Sequence, residues 1–310
     1  MSTCTEDLMI NVSIITYNQE KYIAKAIESV LAQEVNFKYE IIIGDDCSSD
    51  GTREILRYYE NKYPDIIQLI LHPRRYDEIP GRTNNMTNLY NCRGKYIAML
   101  DGDDYWVSKD KLQRQVDFLE QNPDYVITFH DTLEISEHED SLPQYNHEKH
   151  KFLLKDRSFT IKDVASGWFM QTSTLVFKNH LIGEFPEWFR NVYSADYALH
   201  FLLSKHGNIF YFKNLLSVRL LNKTSFTARF NSSEWFYNIK KEELKIFKNA
   251  FKELDFSRIE SSHLLGYAIF SFKQKSYFKA LYYLGRSFFK DQKYFKLYLD
   301  KFTKRVLKKS

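Results

Sequence analysis

The chain has few cysteines and no long apolar run. Cys4, Cys47 and Cys92 lie far apart and form no C-x-x-C pair, which excludes a disulfide framework and favours a reducing compartment. The apolar stretch 264–272 has about nine residues, whereas a membrane-spanning helix needs ~20. The polar N-terminus 1–7 contains no signal-peptide core. We therefore expect a cytoplasmic protein that at most rests on the inner face of the cell membrane.

Two glycine-rich phosphate-binding motifs are also missing. No G-x-G-x-x-G follows the first predicted strand, and the chain contains no G-x-x-x-x-G-K-[ST] loop. A bound nucleotide would therefore need its diphosphate neutralised in another way. The net charge of +4 is small, and its excess lies late, since residues 290–310 hold eight Lys and Arg against two Asp. We expect no nucleic-acid partner.

The first 130 residues alternate between strand and helix patterns. β-rich runs occupy 9–15, 39–43, 66–71, 95–100 and 125–129. Apolar residues at helical spacing separate them, and Asn18 is predicted to cap the first helix. This order predicts an α/β fold with a doubly wound, mostly parallel sheet and helices on both faces.

The second half of the chain is organised differently. The polar, His-rich stretch 136–158 is interpreted as a loop, and two further strands are predicted at 208–212 and 215–221. Beyond 231 the sequence is helical and rich in Lys, Phe and Tyr. We predict one domain over 1–230, with halves 1–130 and 131–230, and a helical extension over 231–310.

Clustered acids follow the apolar stretch 96–100. Asp101, Asp103 and Asp104 place their charges at the end of a predicted buried strand. Such a cluster costs repulsion and desolvation unless a cation neutralises it, so this point predicts a divalent metal. Ligands of open α/β sheets bind at the carboxyl ends of the strands, and the strand end at 44–46 is also polar.

Four ordered motifs carry a resemblance to a known family. They are VSIITYNQEKYI (12–23), AIESVLAQ (26–33), YEIIIGDDCSSDGT (39–52) and RGKYIAMLDGDDYW (93–106). The chain resembles the inverting family 2 glycosyltransferases of the GT-A (nucleotide-diphospho-sugar transferase) fold, closely over 9–130 and loosely over 160–225. The bacterial surface-polysaccharide enzymes are the type it resembles.

The resemblance implies roles at the nucleotide. Thr16, Tyr17 and Asp46 would line the base pocket, with Asp46 accepting a hydrogen bond from the base edge. Arg82 and Asn85, in the polar segment before the fourth predicted strand, are candidates to meet the diphosphate. An alternative for Asp46 is that it caps the turn that follows it.

The acidic run resembles the DxD pair of the family. Asp103 and Asp104 would be the residues at the Mn²⁺ or Mg²⁺ ion, with Asp103 the main ligand and Asp104 close by, and Asp101 would face the ribose or the sugar. The metal would bridge the diphosphate oxygens and stabilise the leaving group as a Lewis acid. The alternative for Asp103 is a helix N-cap.

An inverting transfer also needs a general base. The segment 193–199 looks like the acidic turn of the family, so Asp196 is the predicted base, with the N-cap of the following helix as its alternative. Trp168 and Trp188 are candidates to stack on sugar rings, or they anchor the core. The histidines at 138, 147 and 150 are interpreted as solvated loop residues.

One position departs from the family pattern. Relatives carry a Tyr-Arg-x-His run that reaches the diphosphate or the metal, and Asn222 stands here at the place of its His. Either Arg219 or Lys223 compensates, or metal and phosphate binding is weaker.

The predicted function is metal-dependent sugar transfer. The donor would be a nucleotide-diphosphate sugar, with a UDP-sugar favoured, and the acceptor a glycan or a lipid-linked glycan in capsule, O-antigen or exopolysaccharide synthesis. One alternative is a sugar-1-phosphate nucleotidyltransferase, although its Gly-rich loop is absent at 16–18. Another is a degenerate, non-catalytic sugar-nucleotide-binding protein, which the change at Asn222 favours. The helices of 231–310 are either a plain cap or a basic, aromatic face that contacts anionic lipid headgroups.

Overall fold

A computed structural model describes residues 8–75, 79, 81–137, 142–222 and 234–296. The chain divides into two compact units. The first, which we call the sheet unit, contains the residues up to Thr160 together with Phe169–Phe185 and Leu202–Asn222. The second, the helical unit, contains Ile161–Trp168, Pro186–Phe201 and the residues after Asn222. The domain bounds 1–230 and 231–310 stay a prediction.

Among the described residues, the strands all belong to the sheet unit and form one ten-stranded sheet. They are β1 Leu8–Thr16, β2 Lys38–Asp45, β3 Ile67–Leu71, β4 Tyr96–Asp101, β5 Tyr105–Trp106, β6 Tyr125–Ser136, β7 Gln144–Tyr145, β8 Arg157–Phe159, β9 Val176–Lys178 and β10 Asn208–Leu221. The α-helices of the described chain are α1 Ile23–Leu31, α2 Thr52–Lys62, α3 Arg82–Asn91, α4 Lys111–Gln121, α5 Asn146–Lys149, α6 Ile161–Ala165, α7 Ala195–Ser204, α8 Glu234–Ala250, α9 Ser257–Lys273 and α10 Tyr277–Lys290.

The sheet has the order β3-β2-β1-β4-β9-β6-β10-β5, with β7 beside β6 and β8 beside β10. Strands β3, β2, β1 and β4 are mutually parallel, and β6 is parallel to β10. Strand β9 runs antiparallel to both β4 and β6, and it joins these two parallel groups. The predicted α/β fold with mostly parallel strands and a helical C-terminal extension is confirmed.

The central strands are buried because their sequences are almost continuously apolar, as expected for parallel strands covered on both faces. In β1, Ile10, Val12 and Ile14 have no exposed surface, and neither have Ile41 and Ile43 of β2. The amphipathic helices α1, α2 and α4 contribute apolar residues to the same core, for example Ile27, Leu56 and Leu112. This core holds the carboxyl ends of the strands in place.

Three local predictions were wrong. The strands predicted at 208–212 and 215–221 are one strand, β10, whose register with β6 shifts between Phe212 and Leu215. Residues 136–158 are not one loop, because β7, α5 and β8 lie there, and the helix starts with a capping box made by Tyr145 and Glu148. Asn18 does not cap α1, which begins at Ile23. Its backbone is left-handed (φ 50°), and its side-chain oxygen accepts a hydrogen bond from the Ser49 amide at 2.8 Å. Asn suits both roles, and the turn prevails here.

The helical unit has an aromatic core. Phe201 of α7 contacts Phe247 of α8, Phe251 and Phe256, with ring centroids 5.0 to 5.7 Å apart. Helices α9 and α10 are joined by paired hydrogen bonds between Ser261 and Ser287. Within the described ranges, every helix is too short or too polar to cross a lipid bilayer.

Candidate active site

The register of the sheet brings three strand ends together. Ile15 of β1 stands opposite both Gly44 of β2 and Asp101 of β4, and Thr16 stands opposite Asp45. Because β1, β2 and β4 are parallel, the polar residues that follow each of them meet at one edge of the sheet. This is the edge at which the sequence predicted a ligand.

Asp46 lies at this edge and is 5% exposed. Its Oδ2 accepts hydrogen bonds from Nε of Arg75 at 3.1 Å and from the Gly81 amide at 3.2 Å. The guanidinium of Arg75 also lies over the Tyr17 ring, 4.1 Å from its centroid. The backbone amide of Asp46 donates to the Thr16 carbonyl at 3.0 Å, so Thr16, Tyr17 and Asp46 are neighbours, and their role at a base stays a prediction.

Arg75 was missed from the sequence. It lies between β3 and α3, where two consecutive arginines follow Pro73, and a loop cation next to a predicted strand end was the available signal. Its guanidinium covers the aromatic face and pairs with the carboxylate predicted to bind a base. We call the space between ring and carboxylate, which the flat, nitrogen-rich guanidinium of Arg75 occupies, the slot.

Helix α3 is fixed to the strands by asparagine side chains. Asn84 donates to the Gly44 carbonyl at 2.8 Å, and Asn88 donates to the Ile14 carbonyl at 2.8 Å. These contacts place Arg82 and Asn85, both buried, in the first turn of α3 directly after Gly81. Buried Oδ1 of Asn85 has no hydrogen-bond partner among the described residues, so the helix start retains unused polar capacity.

The acidic turn packs closely on the end of β1. The Gly102 amide donates to the Ile15 carbonyl at 2.9 Å. A Cβ at Gly102 would lie 2.4 Å from Gln19 Oε1, 3.0 Å from the Thr16 Cβ and 3.1 Å from the Ile15 carbonyl oxygen, so a side chain here would displace Gln19 and crowd the end of β1. The glycine in Asp-Gly-Asp thus allows this turn to pack closely on β1.

The three acids of the turn have different surroundings. Asp104 is buried, and both of its oxygens accept hydrogen bonds: Oδ2 from Ser173 Oγ (2.5 Å) and Gln171 Nε2 (2.9 Å), Oδ1 from the Leu220 amide (3.0 Å). Asp101 and Asp103 are only partly buried. The contacts of Asp104 favour a positioning role, whereas Asp101 and Asp103 are the acids more open to a ligand.

The turn carries more negative charge than its surroundings compensate. Burial, and then the charge of Asp103, raise the pKa of Asp104 to about 7. Burial also raises the pKa of Asp103, against the opposing effects of its own backbone amide and of Arg219. Both shifts oppose the ionised forms, which is the condition that a bound cation would relieve.

Asn222 reaches the acidic turn from the end of the sheet unit. Its Nδ2 donates to Oδ2 of Asp103 at 2.8 Å, although the two residues are 119 positions apart. Arg219 of β10 lies nearby, pairs with Glu134 at 3.3 Å and acts electrostatically on Asp101 and Asp104. The position flagged as a departure from the family pattern therefore contacts the predicted metal ligand.

The donor set at the turn fits a divalent cation that is shared with a ligand. In the described ranges, no group of three or more His, Cys, Asp and Glu side chains could hold a metal by itself. Mg²⁺ in proteins is usually bound by one or two carboxylates together with substrate phosphates. Asp101 and Asp103 provide such a partial set of oxygen ligands.

Asp196 belongs to the helical unit. It lies in the first turn of α7, which begins at Ala195, and its Oδ2 accepts a hydrogen bond from Nε1 of Trp168 at 3.0 Å. The next residue, Tyr197, is buried and donates its hydroxyl to the Val164 carbonyl at 2.6 Å. The carboxylate is thus oriented by an indole and backed by a fixed helix turn.

Other candidate residues have structural contacts. Trp188 packs edge-on against Phe247 and Phe251, with centroids 6.1 and 5.9 Å away, which supports its interpretation as a core anchor. His147 is not simply solvated, because its Nδ1 lies 2.5 Å from Oδ2 of Asp131. His138 and Lys223 lie outside the described residues.

Comparison with known families and relatives adds to this geometry. The model of the family described as "Glycosyl transferase family 2" matches residues 11–180. An uncharacterized protein of Mycobacterium tuberculosis is 32% identical over 195 residues, which are 63% of this chain and 54% of that protein. The putative teichuronic acid biosynthesis glycosyltransferase TuaG of Bacillus subtilis is 41% identical over 110 residues, 35% of this chain and 41% of TuaG. This chain spans about half the length of the curated relatives it matches.

Two solved structures share the fold. TarS 1–349 of Staphylococcus aureus, in complex with UDP-GlcNAc, gives a TM-score of 0.58 at 16% identity, covering 92% of each chain. The mannosyltransferase PcManGT of Pyrobaculum calidifontis, in complex with GDP-Man and Mn²⁺, gives a TM-score of 0.58 at 17% identity, covering 91% of this chain and 76% of that one. The GT-A fold predicted from the sequence is confirmed.

Proposed function

We propose that this chain, which belongs to glycosyl transferase family 2, transfers a sugar from a nucleotide-diphosphate sugar to a glycan or lipid-linked acceptor, with inversion at the sugar. One observation carries the proposal: the register of β1, β2 and β4 aligns an aromatic–carboxylate slot with an acidic turn at a single sheet edge. A nucleotide diphosphate has the matching chemistry, a flat base joined to a charged phosphate group.

The base of the donor would use the slot at Tyr17 and Asp46. Tyr17 supplies a ring for stacking, and Asp46 supplies an acceptor for a base N–H. The Arg75 guanidinium occupies that slot in the structure. When the nucleotide binds, the Arg75 side chain would either leave the slot or remain in contact with the base. UDP is the favoured nucleotide, and the UDP-GlcNAc complex of TarS and the GDP-Man complex of PcManGT support a sugar nucleotide.

Asp103 and Asp101 would hold a Mn²⁺ or Mg²⁺ ion, and the Mn²⁺ of PcManGT supports this cofactor. When bound, the ion would stabilise charge on the leaving diphosphate as a Lewis acid. Asp104 would hold the turn in place through Ser173, Gln171 and the Leu220 amide. Asn222 would orient Asp103 through its amide N–H.

Asp196 would act as the general base. In an inverting transfer the acceptor oxygen bonds to the anomeric carbon while the bond to the diphosphate oxygen breaks. The hydroxyl proton would pass to the carboxylate of Asp196, which the indole of Trp168 holds in orientation. The description of TuaG as a putative teichuronic acid biosynthesis glycosyltransferase supports a setting in surface-polysaccharide synthesis. We also propose that the enzyme works on the cytoplasmic side of the membrane.

The test is a binding and turnover experiment with nucleotide diphosphates and their sugars, with and without Mn²⁺. We expect UDP to raise the melting temperature of the wild type only when Mn²⁺ is present, since a ligand that binds the folded state stabilises it. Asp103→Asn should abolish this increase in melting temperature, and Asp46→Asn should reduce the increase caused by every nucleotide. Turnover of a UDP-sugar should fall by at least about 10³-fold in Asp103→Asn, because a metal contributes several kcal/mol to the transition state.

Glu120→Gln is the matched control, because Glu120 is a carboxylate on α4 that pairs with Lys95. Its nucleotide response should equal that of the wild type. If no nucleotide changed the melting temperature of the wild type, the proposed donor site would be contradicted. Tight binding with no turnover of any sugar nucleotide would instead favour the non-catalytic alternative.

A further inference from the structure

Helix α10 exposes large apolar side chains on its outer side. Phe278 is 93% exposed, Phe289 82%, Leu281 65% and Tyr282 58%. Side chains of this size are seldom left in water as a group on a protein that functions as a free monomer. We call these four residues the α10 stripe.

The four residues lie on one face of the helix. Leu281 and Tyr282 follow Phe278 by three and four residues, and Phe289 follows Tyr282 by seven. At 100° of rotation per residue, these spacings place the four side chains within an arc of about 100°. The opposite face is already used, since Ala280 and Ser287 are buried and Ser287 exchanges hydrogen bonds with Ser261 of α9. The stripe is therefore a second apolar face of α10, pointing away from α9.

Gly285 lies within the same arc. A Cβ added at this glycine would meet no atom of the described chain within 4 Å. The stripe is therefore unobstructed by described residues at Gly285, in its middle, as well as at the two exposed phenylalanines. The open space allows a side chain to be added here as a test.

The charges around the stripe have one sign. The sequence of α10 contains Lys279, Arg286 and Lys290 and no acidic residue. Lys279 and Lys290 pair with Glu234 and Glu260 at 2.8 and 3.1 Å. Exposed Arg286 therefore supplies the excess charge beside the stripe, on the helix itself.

More positive charge lies at both ends of the helix. Lys273 and Lys275 are exposed just before α10 begins. After it, the sequence 291–310 contains seven Lys and Arg against two Asp. An apolar stripe with a basic border matches the headgroup region of an anionic bilayer, where apolar side chains reach the acyl boundary and cations meet lipid phosphates.

We propose that the α10 stripe inserts into the surface of an anionic lipid bilayer and holds the protein there. A second copy of this face is a poorer occupant, because pairing two stripes would bring Arg286, Lys273 and Lys275 near their like-charged counterparts. The inference does not depend on sugar transfer, since it concerns lipid binding by the helical unit alone.

The test is co-sedimentation of the full chain with vesicles, without donor or acceptor. We expect wild type to bind vesicles of phosphatidylcholine and phosphatidylglycerol (3:1), with weaker binding to phosphatidylcholine alone and at high salt. The double variant Phe278→Ser/Phe289→Ser should lose at least about 10-fold in affinity, since it removes two inserting rings. Gly285→Leu should bind more tightly than wild type.

The matched control is Leu142→Ser/Leu154→Ser, which removes two apolar side chains of the sheet unit that are 90% and 64% exposed. It should bind vesicles like wild type. Because both phenylalanines are solvent-exposed, the Ser variant should keep the wild-type melting temperature, which is measured alongside.

Several results would overturn the proposal. One is that the wild-type protein sediments with none of the vesicles, which is also the result expected if another part of the chain covers the stripe. A second is a double variant that still binds as tightly, which would assign binding to the basic residues alone. A third is a wild-type dimer in sedimentation velocity that the double variant dissociates. None of these results would affect UDP binding or turnover, so the transferase proposal fails or survives separately.

Discussion

The two units each depart, at one place, from the rule that apolar groups lie inside and charged groups outside: the sheet unit at its strand ends and the helical unit on α10. The sheet unit buries carboxylates, with Asp45, Asp46 and Asp104 at 0, 5 and 2% exposure. The helical unit instead exposes Phe278 and Phe289 almost fully. Each departure raises the free energy of the folded chain by itself.

These departures indicate what each surface binds. Buried acids at strand ends gain from a cation and a polar ligand, whereas exposed rings gain from an apolar phase. Positions where a folded chain tolerates such a penalty are the ones where function is expected. Under the two proposals the sheet unit would bind a small charged ligand and the helical unit a lipid surface, and Asp196 is the proposed general base.

Asp196→Asn tests that last assignment and should have the largest effect. The amide can still accept from Trp168, so orientation is kept while the base is lost. We expect kcat to fall by about 10²–10⁴-fold, the usual contribution of a general base, with UDP binding unchanged. Glu187→Gln, an exposed acid of the same unit, is the control. Full transfer by Asp196→Asn would leave the helical unit without a chemical role.

A pair of glycines tests how tightly each region is built. Gly102→Ala should destabilise the fold by about 1–3 kcal/mol, since the new methyl group would overlap Gln19 and crowd Thr16. Gly285→Ala should stabilise it by about 0.5–1 kcal/mol, because the site is open and Ala favours helix. Chemical denaturation measures both changes. Equal effects of the two substitutions would contradict the contrast between a packed turn and an open face.

Acid should reveal that the helical unit also buries a polar group. His200 of α7 is 1% exposed, and neither ring nitrogen has a partner among the described residues. Burial lowers its pKa to about 4, against the opposing charge of Asp196. The unfolded histidine titrates near 6.5, so the unfolded state binds more protons between these values, and stability falls as the pH drops through that window.

We expect this single group to cost about 1–2 kcal/mol at pH 5 relative to pH 7.5. His200→Leu should reduce the difference between melting temperatures at these two pH values. His180→Asn, at an exposed position with left-handed backbone that suits Asn, should leave it unchanged. An unaltered pH dependence in His200→Leu would mean that His200 is not buried as a neutral ring.

Trp168→Phe should have the smallest effect. The variant keeps an aromatic ring but loses the indole N–H that donates to Asp196. One hydrogen bond contributes about 0.5–1.5 kcal/mol, so kcat should fall by roughly 2- to 12-fold without a change in donor KM. Trp188→Phe, in the aromatic core, should keep kcat. The opposite pattern, a change in KM alone, would indicate that Trp168 contacts a substrate.

The strands and the acidic turn could be predicted because their signals are local. An apolar run followed by Asp101, Gly102 and Asp103 predicts both a buried strand and the polar residues at its end. The partners of Asp104 could not be predicted, since Ser173 and Gln171 lie 69 and 67 positions away along the chain. Arg75 escaped notice for the same reason, because its contact with Tyr17 depends on how a loop folds back.

Some patterns were ambiguous in themselves. Asn18 suits a helix cap and a left-handed turn equally well, and only the contact with Ser49 separates the two. The polar stretch 136–158 lacks periodicity because its elements are short, α5 having four residues and β7 two. Pattern length, more than composition, limited these predictions.

By itself the sequence determined the fold class, the family resemblance and the acids at the strand ends, because apolar periodicity and strand-end residues are properties of neighbours in the chain. The tertiary structure decided which acids are open and which are saturated with hydrogen bonds. Asp104 accepts from residues of two distant segments, and Asn222 reaches Asp103 across 119 positions. It also decided that α10 points a second apolar face into solvent, since burial of Ala280 and Ser287 selects the other side. Burial and pairing depend on what the fold brings together, and no local pattern contains that information.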